Sequence, residues 1–344
     1  MKVAAYYGQG LFKVEERSIP EIREDEMLVK VMAVGICGTD VHKAIHQTVP
    51  EGTVLGHEVS GIVEKVGQNV KKFKVGDRVA LAHHAPCMTC QLCFKNHHSL
   101  CDQYLKNNIF PGGFSQFIKV QPEHIRETIF LIKNDTLTFE EAAFLEPLAC
   151  CIRGFLAMDF RQGDSVLIIG AGPIGLQHLM LAGIYNAGLK VILDLNPDRL
   201  KVAKQLGADL ALNPQTNDFQ AILESNNLVG NLDNVIITVG IASLCEQALY
   251  LAGRGASILF FAETPKGQKI TIEPNLIYSR ELRIVGSYSS SPNHLHMALN
   301  MIENRRIPVK SLITDRIPLE QVGNGIERSY KAKDCLKIMV LPNI

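Results

Sequence analysis

The chain has 344 residues, with 35 lysines and arginines balancing 35 aspartates and glutamates, and 47% of it is apolar. That size predicts two domains with cores of their own, and zero net charge gives no general attraction for nucleic acid or anionic lipid. Tryptophan is absent and aromatics make up 6% of the chain, which argues against large base-stacking platforms, and no apolar run reaches the length of a membrane span.

The start, MKVAAYYGQGLFKVEERS, turns charged within two residues and lacks the apolar segment of a secretory signal. A reducing, cytoplasmic setting is expected, in which clustered cysteines bind metal and do not pair. Up to about residue 147 the pattern is one of short strands. Residues 27–36 alternate, 61–67 and 74–82 are rich in β-formers, and Gly76-Asp77 marks a turn. Residues 114–121 return to strand. No helix-length amphipathic pattern precedes Thr138, which forms a capping signature with Glu141.

From Asp164 the rhythm changes. Residues 164–170 read as a buried strand, 172–188 as a helix, 189–195 as a strand, and 197–208 as a helix opened by Pro197. Residues 231–240, 243–252 and 256–262 continue the alternation. Strands that are apolar throughout, alternating with helices, predict a parallel sheet covered on both faces. Residues 297–309 read as a helix and 335–341 as a closing strand.

Cys87, Cys90, Cys93 and Cys101 stand at C-x2-C-x2-C-x7-C. Four thiolates around one tetrahedral zinc make a closed structural site, with no position for water or substrate. Buried or disulfide-paired cysteines are the plain alternative. An iron–sulfur cluster fits less well, because the fourth ligand is too close. His83, His84, His97 and His98 flank this lobe and are expected to be solvated or locally bonded.

Gly170-Ala-Gly172-Pro173-Ile174-Gly175 follows a strand and opens a helix, the order required for a pyrophosphate on a helix N-terminus. Asp194 ends the next strand, nineteen residues past Gly175, where a carboxylate can accept both ribose hydroxyls. It would repel a 2′-phosphate, so NAD is expected over NADP, with Arg199 close enough to offset Asp194 in part. Upstream, Cys37, His57 and Glu58 offer thiolate, imidazole and carboxylate from two segments, and Glu146 is a further donor. Mixed ligation with one open position suits a catalytic zinc.

Gly56-His57-Glu58-x2-Gly61-x5-Gly67-x2-Val70, together with Cys37-Gly-Thr39-Asp40-x-His42, the cysteine lobe and the glycine fingerprint, resembles the zinc-containing alcohol dehydrogenases of the medium-chain superfamily. The resemblance covers essentially the whole chain. It implies an α/β fold: a GroES-like β-barrel catalytic domain (1–148, zinc lobe about 86–102), a Rossmann domain with a doubly wound parallel sheet (149–285), and a C-terminal segment (286–344) completing the first. Carried over, Cys37, His57, Glu58 and Glu146 match catalytic zinc ligands, with Glu58 able to enter or leave. Thr39 and His42 match a proton relay, and Asp40 an acid orienting His57. Glu146-Pro-Leu-Ala is similar to the polyol (sorbitol) dehydrogenase branch. The Arg-Tyr pair that this branch places shortly after the strand at residues 283–288 is missing, the chain reading Gly286-Ser-Tyr-Ser-Ser-Ser-Pro there, which speaks against sorbitol itself but suits a hydroxylated substrate. The implied enzyme carries two zincs and NAD, acts on a small-molecule polyol, diol, sugar or cyclitol, and assembles as a homodimer or homotetramer without nucleic acid or membrane. The rivals are a threonine-type amino-alcohol dehydrogenase, a zinc-independent reductase of the same superfamily, and a zinc-binding regulatory or nucleic-acid-binding protein.

Overall fold

The computed structural model describes residues 1–216, 218–332 and 334–344. Two compact units divide the chain: Met1–Ala149 with Ser290–Ile344, and Cys150–Ser289. The first begins with an antiparallel hairpin, β1 (Lys2–Tyr6) and β2 (Phe12–Glu16). β3 (Met27–Gly35) leads into α1 (Gly38–Ile45), then β4 (Glu58–Val66) and β5 (Arg78–Ala82). α2 (Gln91–Phe94) lies in the cysteine lobe, and β6 (Phe117–Val120), α3 (Pro122–Glu127), β7 (Ile129–Leu131), α4 (Phe139–Ala142) and α5 (Leu145–Ala157) follow.

The second unit alternates strand and helix: β8 (Ser165–Ile169), α6 (Pro173–Ile184), β9 (Leu189–Leu193), α7 (Pro197–Gln205), β10 (Leu210–Leu212), α8 (Phe219–Ser225), β11 (Leu232–Ile237), α9 (Ala242–Leu251), β12 (Ala252–Phe260), α10 (Pro274–Arg280) and β13 (Arg283–Gly286). Its six strands run in the order β10-β9-β8-β11-β12-β13 and pair in parallel throughout. This is the doubly wound order, whose topological switch lies between β8 and β11, where ligands bind beyond the carboxyl ends of the strands. α6 is buried from Gly175 through Ala182, as the expected covering of both sheet faces requires.

The chain then returns to the first unit with α11 (Pro292–Glu303), β14 (Ile313–Ile317), α12 (Val322–Lys331) and β15 (Lys337–Val340). β15 pairs with β3 antiparallel, in a seven-stranded sheet ordered β14-β15-β3-β4-β5-β7, and β6 also pairs with β3. Val29, Val31, Val59, Val79, Ile118 and Ile338 pack in its core.

Three short helices precede Thr138, where no helix-length amphipathic pattern is legible. α1, α2 and α3 have 8, 4 and 6 residues, too few for an apolar period to register. The helix expected at 297–309 starts earlier, because Ser291 precedes it and Pro292 presets its first turn. It stops at Glu303, and Arg305 has a left-handed φ of 55°.

Candidate active site and metal centres

One buried carboxylate organises the first site. Cys37 caps α1, and Asp40 at its third position completes a capping box, one Oδ accepting from the Cys37 N–H at 3.0 Å. The other Oδ accepts from the Gly56 N–H and meets His57 Nδ1, both at 3.1 Å. A helix start and the loop before β4 are thereby tied together. With Nδ1 engaged by Asp40, Nε2 is left as the His57 donor atom. Donor atoms of Cys37, His57 and Glu58 then lie within 4.8 Å of one another.

Burial works to raise the Asp40 pKa, but the His57 charge and the backbone N–H donors outweigh it and hold the acid below the usual range. Burial likewise pulls His57 down, and the charges of Asp40 and Cys37 outweigh it, lifting the imidazole well above its ordinary value. Asp40 and Cys37 thus concentrate negative charge around the His57 imidazole, an environment that favours a cation there.

Sequence reasoning missed Lys337. It is 3% exposed on β15, donates from Nζ to Ile36 O at 3.0 Å, and forms an ion pair with Glu58 Oε2. Burial acts to lower its pKa, but Glu58 and then Cys37 outweigh that and raise it. A signal was present: one lysine inside the apolar run 335–341. Gly35 faces Glu58 across the β3–β4 ladder, and a Cβ there would stand 1.9 Å from Glu58 Oε2. Only glycine leaves room for the carboxylate.

Thr39 is exposed on the first turn of α1, and half-buried His42 follows three residues later with its ring 4.6 Å from that of His46. Glu146 is buried in the first turn of α5, outside the trio of donors. His83 departs from its expectation: its ring lies 4.7 Å from His57 and 3.9 Å from His84, and its Nδ1 is buried without a partner among the described residues. His84 is locally bonded, 3.3 Å from Asn107 O. His97 is exposed and His98 buried. Ser290 and Ser291 are buried too, Ser291 Oγ lying 2.7 Å from His294 Nδ1.

In the cysteine lobe the four sulfurs all lie within 4.8 Å of one another, Cys87 and Cys101 at 3.5 Å. A tetrahedron with metal–sulfur bonds of about 2.3 Å has edges of about 3.8 Å, so the set fits zinc. Hydrogen bonds from Thr89 lower the Cys87 thiol to about 6, whereas burial, then Cys90, pushes Cys93 up to about 12. Without a cation these thiols cannot all ionise together. None of the nine cysteines is joined in a disulfide among the described residues.

The glycine turn lies in the second unit. Gly175 packs so closely that a Cβ would stand 1.8 Å from Gly170 O, whereas a Cβ on Gly172 would meet only Arg199 Nη1 at 3.7 Å. Gly175 serves packing, and Gly172 leaves a cradle. Gly172 caps α6 without a side-chain bond, and Pro173 and Ile174 form its first turn, so the open helix start suits a pyrophosphate. Asp194 accepts from the Ala171 N–H at 2.7 Å and the Asn196 N–H at 2.8 Å, one on each oxygen. That fixes its carboxylate and leaves each oxygen a lone pair for ribose. A charged recess of 400 Å³, lined by Asp159, Arg161, Arg254 and Arg283 among others, lies at the opposite ends of these strands, away from the switch point.

Residues 23–128 match the alcohol dehydrogenase GroES-like domain, and residues 173–304 match the zinc-binding dehydrogenase family. The chain is 32% identical to the sorbitol dehydrogenase of Bacillus subtilis, over 100% of this chain and 98% of that protein. A zinc-binding dehydrogenase of Sinorhizobium meliloti, solved with NADP, superposes with a TM-score of 0.89 at 30% identity, covering 99% of each chain. Galactitol-1-phosphate dehydrogenase of Escherichia coli gives 0.87 at 28%, covering 99% of this chain and 100% of that one. With two donor clusters that suit zinc and a dinucleotide cradle in place, the chain belongs to the zinc-containing medium-chain alcohol dehydrogenases, enzymes that move hydride between a nicotinamide cofactor and an alcohol, in the branch that holds the sorbitol dehydrogenases.

Proposed function

We propose that this chain oxidises a secondary hydroxyl of a polyol, diol, sugar or cyclitol with NAD⁺, or runs the reverse. The observation that carries the site assignment is the Asp40 carboxylate, which joins Cys37 to His57 and leaves Nε2 as a donor. The substrate class is supported by the relatives, which include sorbitol, D-arabinitol and 2R,3R-butanediol dehydrogenases. A panel of polyols, diols, inositols, sugar phosphates and threonine, followed by NADH absorbance, tests it. Turnover of a polyol or diol is expected, and turnover of threonine alone would replace this reading with the amino-alcohol one.

Cys37 and His57 would hold the catalytic zinc, with Glu146 and Glu58 as the carboxylates able to complete its sphere. Cys87, Cys90, Cys93 and Cys101 would hold the structural one. When bound, the catalytic ion supplies a Lewis acid that acidifies the substrate hydroxyl, and the nicotinamide accepts the hydride. Asp40 keeps the imidazole of His57 aimed. Thr39 Oγ1 would accept the proton leaving the substrate hydroxyl while releasing its own toward the nicotinamide ribose, and His42, on the same face of α1, would be the outer acceptor. Thr39→Val is expected to keep both zincs yet slow hydride transfer by roughly 10²–10⁴-fold, as for loss of a positioned proton-transfer group. Single-turnover NADH formation checks it.

NAD⁺ is favoured because Asp194 would face a 2′-phosphate as a like charge. A higher kcat/KM with NAD⁺ than NADP⁺ is expected, and Asp194→Ser should narrow the gap. Equal use of both by the wild type would show that Arg199 outweighs Asp194. The assembly we infer is a homodimer or homotetramer, supported by β13, an open sheet edge with Ile284 41% exposed. A reducing, cytoplasmic location is supported by four cysteines clustered as metal donors and not paired with one another.

A further inference from the structure

α1 carries one imidazole more than the proton relay uses. Thr39, His42 and His46 stand at i, i+3 and i+7, so they share one face of the helix, opposite the buried Val41 and Ala44. His42 is half-buried and His46 exposed, and the His46 N–H donates to His42 O at 2.9 Å, which carries the helical register through the second imidazole. Their rings lie 4.6 Å apart, tilted by 48°. No hydrogen bond between described residues uses either ring.

That separation suits a shared ion. Two imidazoles on one metal, with metal–nitrogen bonds of about 2.1 Å, have ring centres about 4.5–5.2 Å apart for angles between square and tetrahedral. Histidines four apart on a helix offer two donors to one zinc from a single face. The pair also stands at the C-terminal end of α1, where the negative end of the helix dipole favours a cation. Neither donor brings a charge, and water would fill the other positions, so such a site holds its ion weakly and exchanges it. It suits metals with an affinity for imidazole, Zn²⁺, Ni²⁺ and Cu²⁺, and not Mg²⁺. A neutral imidazole has one lone pair, and once that is given to an ion it can accept no proton.

We propose that His42 and His46 form a third, exchangeable metal site, and that an imidazole-seeking divalent cation bound there blocks the outer step of the proton relay and inhibits hydride transfer reversibly. The block rests on the relay reading above; the site rests on the helix geometry alone. His46 distinguishes the two, because it supplies a donor to the ion and takes no part in moving the proton.

The full chain carrying its two resident zincs, titrated with further Zn²⁺ in a buffer without chelating groups, tests both parts. Equilibrium dialysis is expected to show a third ion on the wild type that His46→Ala fails to take up over the same range. With Cu²⁺ as the added ion, the electron paramagnetic resonance spectrum should show coupling to two imidazole nitrogens in the wild type. In single turnover the third ion should slow hydride transfer by roughly 10²–10⁴-fold, and dilution should restore the rate. His46→Ala, a change at an exposed position, should match the wild type without added metal and need roughly 10²-fold more Zn²⁺ for the same inhibition, because the second donor no longer chelates. A wild type that binds no third ion, or a His46→Ala protein inhibited at the wild-type Zn²⁺ concentration, would overturn the site. A third ion that leaves hydride transfer undiminished would overturn the block. Should no polyol or diol turn over before metal is added, the functional reading fails instead, and dialysis and the copper spectrum still decide the site.

Discussion

His57→Ala is expected to lose the catalytic zinc and with it turnover, leaving one zinc per chain. The imidazole is one of two donors that Asp40 ties together, and its removal leaves Cys37 with carboxylates only, one of which, Glu58, Lys337 already engages. Too few protein ligands then remain to hold zinc in an open site. The loss in rate should approach the full contribution of the metal, several kcal/mol of charge stabilisation, and Cys37→Ala should match it. Metal uptake by the wild type should also strengthen as pH rises. His57 is raised well above its ordinary value in the metal-free protein, so its proton must leave before the ion can bind, and acidification favours the protonated, empty form. Metal analysis paired with single-turnover hydride transfer checks both points. A His57→Ala protein with two zincs and normal turnover would remove the metal mechanism.

Cys87→Ser is expected to act on the fold and to spare the chemistry of molecules that stay folded. Binding of a structural zinc by four thiolates is worth about 10–16 kcal/mol in small domains, most of it available only to the folded state. Here the four sulfurs already converge within 4.8 Å, and Tyr104 packs with Cys93 and Cys101 as a small core that the metal would close. Losing one ligand should lower the unfolding midpoint by more than about 10 °C and release one zinc. Thermal denaturation with zinc counts decides it. A variant with wild-type stability and both metals would show that the lobe is no metal site.

Much of this protein is legible before any fold is known, and the reason is locality. The parallel sheet was readable because β8, β9, β11 and β12 each carry an apolar run and are separated by helices, a pattern that burial on both faces explains. The glycine turn and the cysteine lobe were readable because each is a short segment whose chemistry depends on its own spacing. α1 was not, since eight residues cannot display a helical period and its start is set by the Cys37–Asp40 capping box. His83 was misjudged because nothing near it in sequence shows that His57 packs against its ring.

The donor types at Cys37, His57 and Glu58 are written in the sequence, in two segments twenty residues apart. Their convergence is a tertiary fact, made by one carboxylate reaching from a helix start to a strand start. Lys337 lies further still from local reasoning. Its strand comes last in the chain, pairs beside β3, and delivers a cation to a glutamate 279 positions earlier. Sequence alone determined which chemistry this protein can perform, because ligand types and local spacings are properties of short segments. Tertiary structure decided which charges meet, because strand order and burial set the distance and the dielectric between groups that the chain keeps far apart.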